Sequence, residues 1–225
     1  MTALKEVLAR GLDAVGLERV AHSVWRRARC VGPSRIKPLM SRRELALYRH
    51  LIQDRSAIVE FGCGGSTLQT LKYSKAILYS VESDSDWIER LLKRGRIRRA
   101  VRNRRLQFHH ADLGPVRKFG YPVFSPTSEQ AARYHSLIWA KVEGATIDLV
   151  LIDGRFRVAC AIEALRHCPK AAIVIHDFWN RPEYHPLLPA LSCLDRADSM
   201  GVFSGRPVSP ELLDRLFREA ELDVR

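Results

Sequence analysis

Several things are missing from this 225-residue chain, and each absence closes off a class of protein. Five cysteines, at 30, 63, 160, 168 and 193, form no Cys-x-x-Cys pair. An odd count without such a pair argues against a disulfide framework and against a thiolate zinc site, and points to a reducing, cytoplasmic setting. No apolar run approaches the ~20 residues of a membrane span. The N-terminus shows no continuous apolar core with a small-residue cleavage site, so no secretory signal is expected. The pattern GxxxxGK[ST] is absent, which excludes a phosphate-cradling P-loop. No Tyr-x-x-x-Lys occurs, which disfavours a dehydrogenase. Internal repeats and low-complexity tracts are lacking.

What is present is an ordinary globular composition, 46% hydrophobic and 28% charged, with a formal net charge of +12. Length and composition suit one substantial core. Much of the charge comes from Arg90 to Arg105, which holds nine Lys or Arg residues and no aromatic residue. Without rings to stack on bases, the run reads first as a solvated helix and loop. A contact surface for nucleic acid or anionic lipid is the alternative.

The chain is organised around Ala57 to Thr67, AIVEFGCGGST. A short apolar run stops at Gly62, Gly64 and Gly65, and Ser66 and Thr67 open a helix. This is the strand, tight turn and helix start of a nucleotide-binding βα unit. Glycines let backbone approach a ligand, and the helix start offers free N–H groups. Thr67 stands where a dinucleotide fingerprint needs its third small residue. The acidic Glu60 precedes the turn and no basic residue lies within it, which suits a ligand with a cationic amino-acid end better than a pyrophosphate.

Further strands follow at regular intervals. Ala76 to Glu82 is the second, Leu106 to His110 the third, Ile147 to Ile152 the fourth and Ala171 to Ile175 the fifth, with helices between them. Ser199 to Phe203 reads as a late strand, and Leu222 to Val224 as a last edge strand. A helix is expected over about 186–194, and another after Ser209-Pro210, running to about Ala220. Ser41 and Glu44 match a capping box for a helix from about 42 to 53. Residues 3 to 29 read as two basic amphipathic helices that cover the core or a partner subunit, peripheral membrane contact being the alternative. A proline-containing linker spans 30–40. The division is therefore an N-terminal helical extension, 1–40, and a domain, 41–225, with an insertion over 113–146 read as a lid on the substrate pocket. The fold class is α/β: a Rossmann-like, doubly wound, mostly parallel sheet of seven or six strands with helices on both faces.

Glu60 with its glycines, Glu82, Asp153, and His176 with Asp177 all fall at strand ends, where ligands bind in such sheets. In this order and spacing, over residues 44–185, the chain resembles the class I S-adenosylmethionine-dependent methyltransferases. It is most similar to an uncharacterised bacterial branch with segments like VEFGCGGST, VLIDGRFR and HDFWNRPEYH. The resemblance implies S-adenosylmethionine as cofactor, held by Glu60, Gly62, Gly64, Gly65, Ser66, Thr67, Glu82, Asp112 and Asp153. Glu82 would take the ribose hydroxyls and Asp112 the adenine amino group, although turn chemistry before Gly114 also explains Asp112. Asp153, His176 and Asp177 are the candidate catalytic residues, one of them taking a hydroxyl proton during in-line methyl transfer. Adjacent strand positions face opposite ways, so one of His176 and Asp177 should face the pocket and the other pack. Metal-dependent catechol-type members carry an aspartate after the fourth strand and Asp-Asn after the fifth. Phe178 stands in place of that asparagine, so no metal is assigned, and Mg²⁺ between Asp153 and Asp177 is the alternative. Arg155, Arg157 and Arg181 lie just beyond these strand ends and suit an anionic acceptor, or else ion pairs that close the loops.

The expected activity is methylation of an oxygen on a small molecule or saccharide. An RNA methyltransferase using residues 90–105 is the second reading, and a non-catalytic binding module the third.

Overall fold

The strand ends converge as expected, but one strand comes from a stretch read as helix. The computed structural model describes residues 36–225, and the expected helices over 3–29 lie outside them. Among the described residues the sheet has seven strands. They are β1 (Ala57–Phe61), β2 (Ile77–Glu82), β3 (Leu106–His110), β4 (Leu149–Ile152), β5 (Ala172–Ile175), β6 (Leu191–Ala197) and β7 (Met200–Gly205). Their order is β3-β2-β1-β4-β5-β7-β6. The first five strands are parallel, and β7 runs antiparallel to both β5 and β6. The chain leaves β1 toward β2 on one side and returns to β4 on the other. The switch point therefore lies between β1 and β4.

Alternation along the buried strands sorts the core into two layers. Val59, Phe61, Val150, Ile152, Ile173 and Ile175 face one side. There they meet α5 (Ser128–His135), α6 (Leu137–Lys141), α7 (Arg157–His167) and α8 (Pro210–Ala220). Ile58, Leu149, Leu151 and Val174 face the other side. That side is covered by α1 (Arg42–Leu51), α2 (Gly65–Tyr73), α3 (Ser85–Leu92) and α4 (Gly95–Arg102). The capping box of α1 forms: Ser41 Oγ accepts from the Glu44 amide at 3.1 Å, and Glu44 Oε2 accepts from the Ser41 amide at 2.8 Å.

Three local expectations change. The stretch from Pro186 is not an α-helix but a 3₁₀ segment, Pro182–Ala190, followed by β6. Pro186 and Pro189 lie inside that segment and lack the N–H groups an α-helix needs. Leu222 to Val224 forms no strand, so the seventh strand is supplied by β6 instead. Within 113–146 the two halves differ. Tyr134, Ile138, Trp139 and Val142 are buried in the core, so the helical half is part of the packed layer. The preceding loop, around Gly120, lies beside Glu82.

Ile36 and Met40 pack against the core, and the Lys37–Pro38 backbone crosses the start of α2. Among the described residues no helix is long and apolar enough to cross a membrane.

Candidate active site

Glu60 is the fourth of five residues in β1, a strand buried along its whole length. Alternation turns it toward the α2 layer, between Val59 and Phe61, which face the other way. A bare carboxylate there would be costly. Three hydroxyls meet it: Ser66 Oγ at 2.5 Å, Thr67 Oγ1 at 2.7 Å and Ser80 Oγ at 2.8 Å. Burial still pushes its pKa up to about 7, against those three bonds. Thr67 Oγ1 also accepts from the Gly64 amide at 2.8 Å. The buried side chains of Glu60, Ser66 and Thr67 thus fasten the glycine turn through hydrogen bonds.

The glycines divide by function. Gly62 has φ +90°, and a Cβ there would stand 2.7 Å from Gly154 Cα. Its bareness lets the loop after β1 touch the loop after β4 across the switch point. A Cβ on Gly65 would overlap the Lys37–Pro38 backbone, so Gly65 admits that crossing segment. Gly64 alone of the three has room, with the Trp87 ring 3.6 Å from where its Cβ would be. Trp87 Nε1 donates to the Cys63 carbonyl at 2.8 Å, fixing the ring against the turn.

Glu82 ends β2 on the same edge. Its Oε1 accepts from the amides of Ser83 and Asp84 at 2.8 and 2.9 Å. Its Oε2 has only long contacts, from the Cys63 amide at 3.3 Å and the Cys63 thiol at 3.4 Å. Burial raises its pKa, and the backbone donors oppose that rise. The loop after β1 and the tip of β2 are therefore joined through Cys63 and Glu82. Asp112, exposed after β3, accepts from the Gly114 amide at 2.8 Å through Oδ1, which is the turn it was also expected to make.

The β4 and β5 tips form a second cluster. Arg157, on the first turn of α7, reaches both aspartates, with Nη2 3.3 Å from Asp153 Oδ1 and Nη1 3.2 Å from Asp177 Oδ2. It also donates to the carbonyls of Gly154 and His176, at 3.1 and 2.6 Å. His176 lies with Nδ1 3.1 Å from Asp153 Oδ1 and 3.6 Å from Asp177 Oδ2, and with Nε2 3.4 Å from Glu44 Oε2. These are charge contacts without hydrogen-bond alignment, since neither ring nitrogen has a hydrogen-bond partner among the described residues. Burial opposes charge on the ring, yet Asp153, Asp177 and Glu44 outweigh it and raise the His176 pKa. These three carboxylates therefore favour the protonated form of the ring.

His176 and Asp177 do not face opposite ways. β5 ends at Ile175, and Asp177 takes a left-handed conformation with φ 61°, which returns its carboxylate to the cluster. Burial raises the Asp177 pKa, but His176 and Arg157 prevail and hold it below the usual carboxylate range. Asp153 and Asp177 are similarly open, their side chains 21% and 22% exposed. The space between Asp153 and Asp177 that a divalent ion would need is filled by the Arg157 guanidinium. The donor set present does not fit Mg²⁺, and no cluster suited to a metal occurs among the described residues.

No protein-family model matches the sequence, and no curated protein matches it. Solved structures do. A methyltransferase-like protein from Silicibacter pomeroyi is 24% identical, with a TM-score of 0.71 over 84% of this chain and 98% of that one. Cofactor-bound Rv0187 from MTB is 15% identical, with a TM-score of 0.51 over 87% of this chain and 93% of that one. The chain has the class I methyltransferase fold. On that fold the glycine turn, Glu82 and the Asp153 cluster occupy the carboxyl edge around the switch point.

The basic run is spread over this fold. Arg105 donates to the Thr70, Leu71, Ser74 and Ala76 carbonyls, at the far end of α2 from the glycine turn. Arg96 and Arg99 line a groove with Leu71 and Asn103 beside it. Those residues lie toward the amino edge of the sheet, whereas Arg90, at the start of the run, lies 5.6 Å from the centre of the Trp87 ring beside the glycine turn.

Some supporting residues were not legible as part of the site. Glu44 was visible as a cap, but its Oε1 also accepts from Ser199 and Met200, 155 and 156 positions away. Tyr134 accepts from the Arg155 amide at 3.1 Å, inside an insertion with no motif. Cys63 was read as a small lining residue and is a donor to Glu82.

Proposed function

We propose that this chain is an S-adenosylmethionine-dependent methyltransferase acting on an oxygen of a small molecule or saccharide. The observation that carries the reading is the meeting of the bared glycine turn with Glu82 beside the switch point, on this fold. Residues present fit the cofactor. Gly64 keeps the turn slim against the Trp87 ring, and Glu82 Oε2, which accepts from the Cys63 amide at 3.3 Å and the Cys63 thiol at 3.4 Å, is the acceptor assigned to the ribose hydroxyls. S-adenosylmethionine, when bound there, supplies a methyl group on a cationic sulfur.

This chain supplies position and a proton acceptor. Arg157 and His176 both bear on Oδ1 of Asp153, which fixes the carboxylate and leaves Oδ2 outside those two contacts. Asp153 Oδ2 takes the acceptor's hydroxyl proton as the oxygen is methylated. His176 and Asp177 hold that geometry and exclude competing rotamers. The acidic strand tips do not await a sulfonium to neutralise them, because hydroxyls, amides, Arg157 and His176 already do so.

Asp153→Asn tests the assignment. Transfer of labelled methyl from S-adenosylmethionine to a panel of hydroxylated acids and sugars should fall by about 10²–10⁴-fold. Affinity for S-adenosylhomocysteine should stay within about twofold of wild type. An equal loss in both would contradict the role of Asp153. Binding of S-adenosylhomocysteine with no transfer to any acceptor would favour the binding-module reading.

A further inference from the structure

Two arginines follow Asp153, and their surroundings differ sharply. Arg157 has a partner at Nε, Nη1 and Nη2. Arg155 is 6% exposed, yet its Nε and Nη1 have no hydrogen-bond partner among the described residues. Its backbone is pinned at both ends, the amide by Tyr134 Oη at 3.1 Å and the carbonyl by the Cys160 thiol at 3.4 Å. The guanidinium lies 3.8 Å from the centre of the Tyr121 ring, which supports its face and leaves its edge open.

A buried charged donor without an acceptor costs about 1–3 kcal/mol or more, so such groups usually have a partner that is bound rather than built in. A second orphan lies close by. Tyr184 is 1% exposed and its hydroxyl also lacks a partner among the described residues. The charges of Arg157, Arg181 and Arg155 all bear on that phenol. The neighbouring acids are already engaged: Asp153 and Asp177 with Arg157 and His176, and Glu183 with Arg181 at 3.9 Å.

We propose that Arg155 and the Tyr184 hydroxyl form a subsite for an anionic group, a carboxylate or a phosphate, carried by the methyl acceptor. This rests on the methyltransferase reading above and narrows its acceptor to an acidic small molecule. A planar guanidinium edge matches either anion through paired hydrogen bonds, whereas a neutral sugar would leave the charge unmet. Because Arg155 is recessed, a small acid fits better than a nucleic-acid backbone.

The test is titration of the full chain with inorganic phosphate and, separately, acetate, at constant ionic strength, followed by chemical shifts of the arginine side chains. Saturable binding of at least one anion is expected. Arg155→Gln should weaken it by about tenfold or more and Tyr184→Phe by several-fold, while Arg99→Gln on the basic helix leaves it unchanged. The stronger of the two anions identifies the group. Arg155→Lys keeps the charge but not the fork, and should bind more weakly than wild type if Arg155→Gln proves unstable. Absence of saturable anion binding in wild type would overturn the subsite, as would wild-type affinity in the folded variants. S-adenosylhomocysteine titrated alongside separates the two ideas: its binding without anion binding sinks only the subsite, and the converse sinks the cofactor reading.

Discussion

Nδ1 of His176 lies 3.1 Å from Oδ1 of Asp153, joining the tip of β5 to the tip of β4. The contact has a consequence for stability. Burial disfavours charge on the ring, but Asp153, Asp177 and Glu44 together raise its pKa above the ordinary value. The folded chain therefore binds this proton more tightly than the unfolded chain. Its contribution is complete below the unfolded histidine value of about 6.5 and is lost as pH rises through the higher folded value. His176→Gln should lose roughly 1–3 kcal/mol at pH 6 and show a flatter decline of Tm above neutral pH. A decline as steep as that of wild type would contradict the pairing.

Glu60 works in the same direction for a different reason. Its folded pKa of about 7 exceeds the value for a free carboxyl because burial outweighs its three hydroxyl partners. The folded state holds the extra proton between about pH 4.5 and 7, so stability falls as pH rises through that window, by up to about 3 kcal/mol. Glu60→Gln should remove that fall and be relatively more stable at pH 8 than at pH 5. Denaturant unfolding at the two pH values measures it, and a variant with the wild-type pH dependence would refute the burial account.

The two ends of the glycine turn should respond differently to a methyl group. Gly62→Ala places a Cβ 2.7 Å from Gly154 Cα at φ +90° and should destabilise by about 1–3 kcal/mol from backbone strain alone. Gly64→Ala meets only ordinary contact with Trp87, so it should fold with near-native stability while weakening S-adenosylhomocysteine binding. Thermal melts with and without the ligand distinguish the two. Equal destabilisation would mean that Gly64 serves packing alone.

Much of this was written in local sequence. The apolar runs of β1 to β5, the capping box at Ser41 and Glu44, and the cap and proline at the start of α8 all state their own conformation. Alternation along β1 even places Glu60 on the helix side, once the strand is known. What escaped depends on distant partners. Nothing near Glu44 announces Ser199, Met200 or His176. The left-handed turn at Asp177 overrides strand alternation, and no glycine marks it. β6 was hidden because apolar residues around Pro186 and Pro189 mimic a helix period while the prolines forbid one. That Arg157 fills the space between two aspartates follows only from the way α7 starts over β4 and β5.

In the proposed function, the turn after β1 and the Glu82 carboxylate make a seat for S-adenosylmethionine. Calorimetric titration of the full chain with S-adenosylmethionine and with NAD⁺, repeated on Glu82→Ala, tests it most directly. Saturable heat with S-adenosylmethionine, none with NAD⁺, and a large loss of affinity in the variant are expected. Silence with S-adenosylmethionine, preference for NAD⁺, or an unaltered affinity in Glu82→Ala would contradict it.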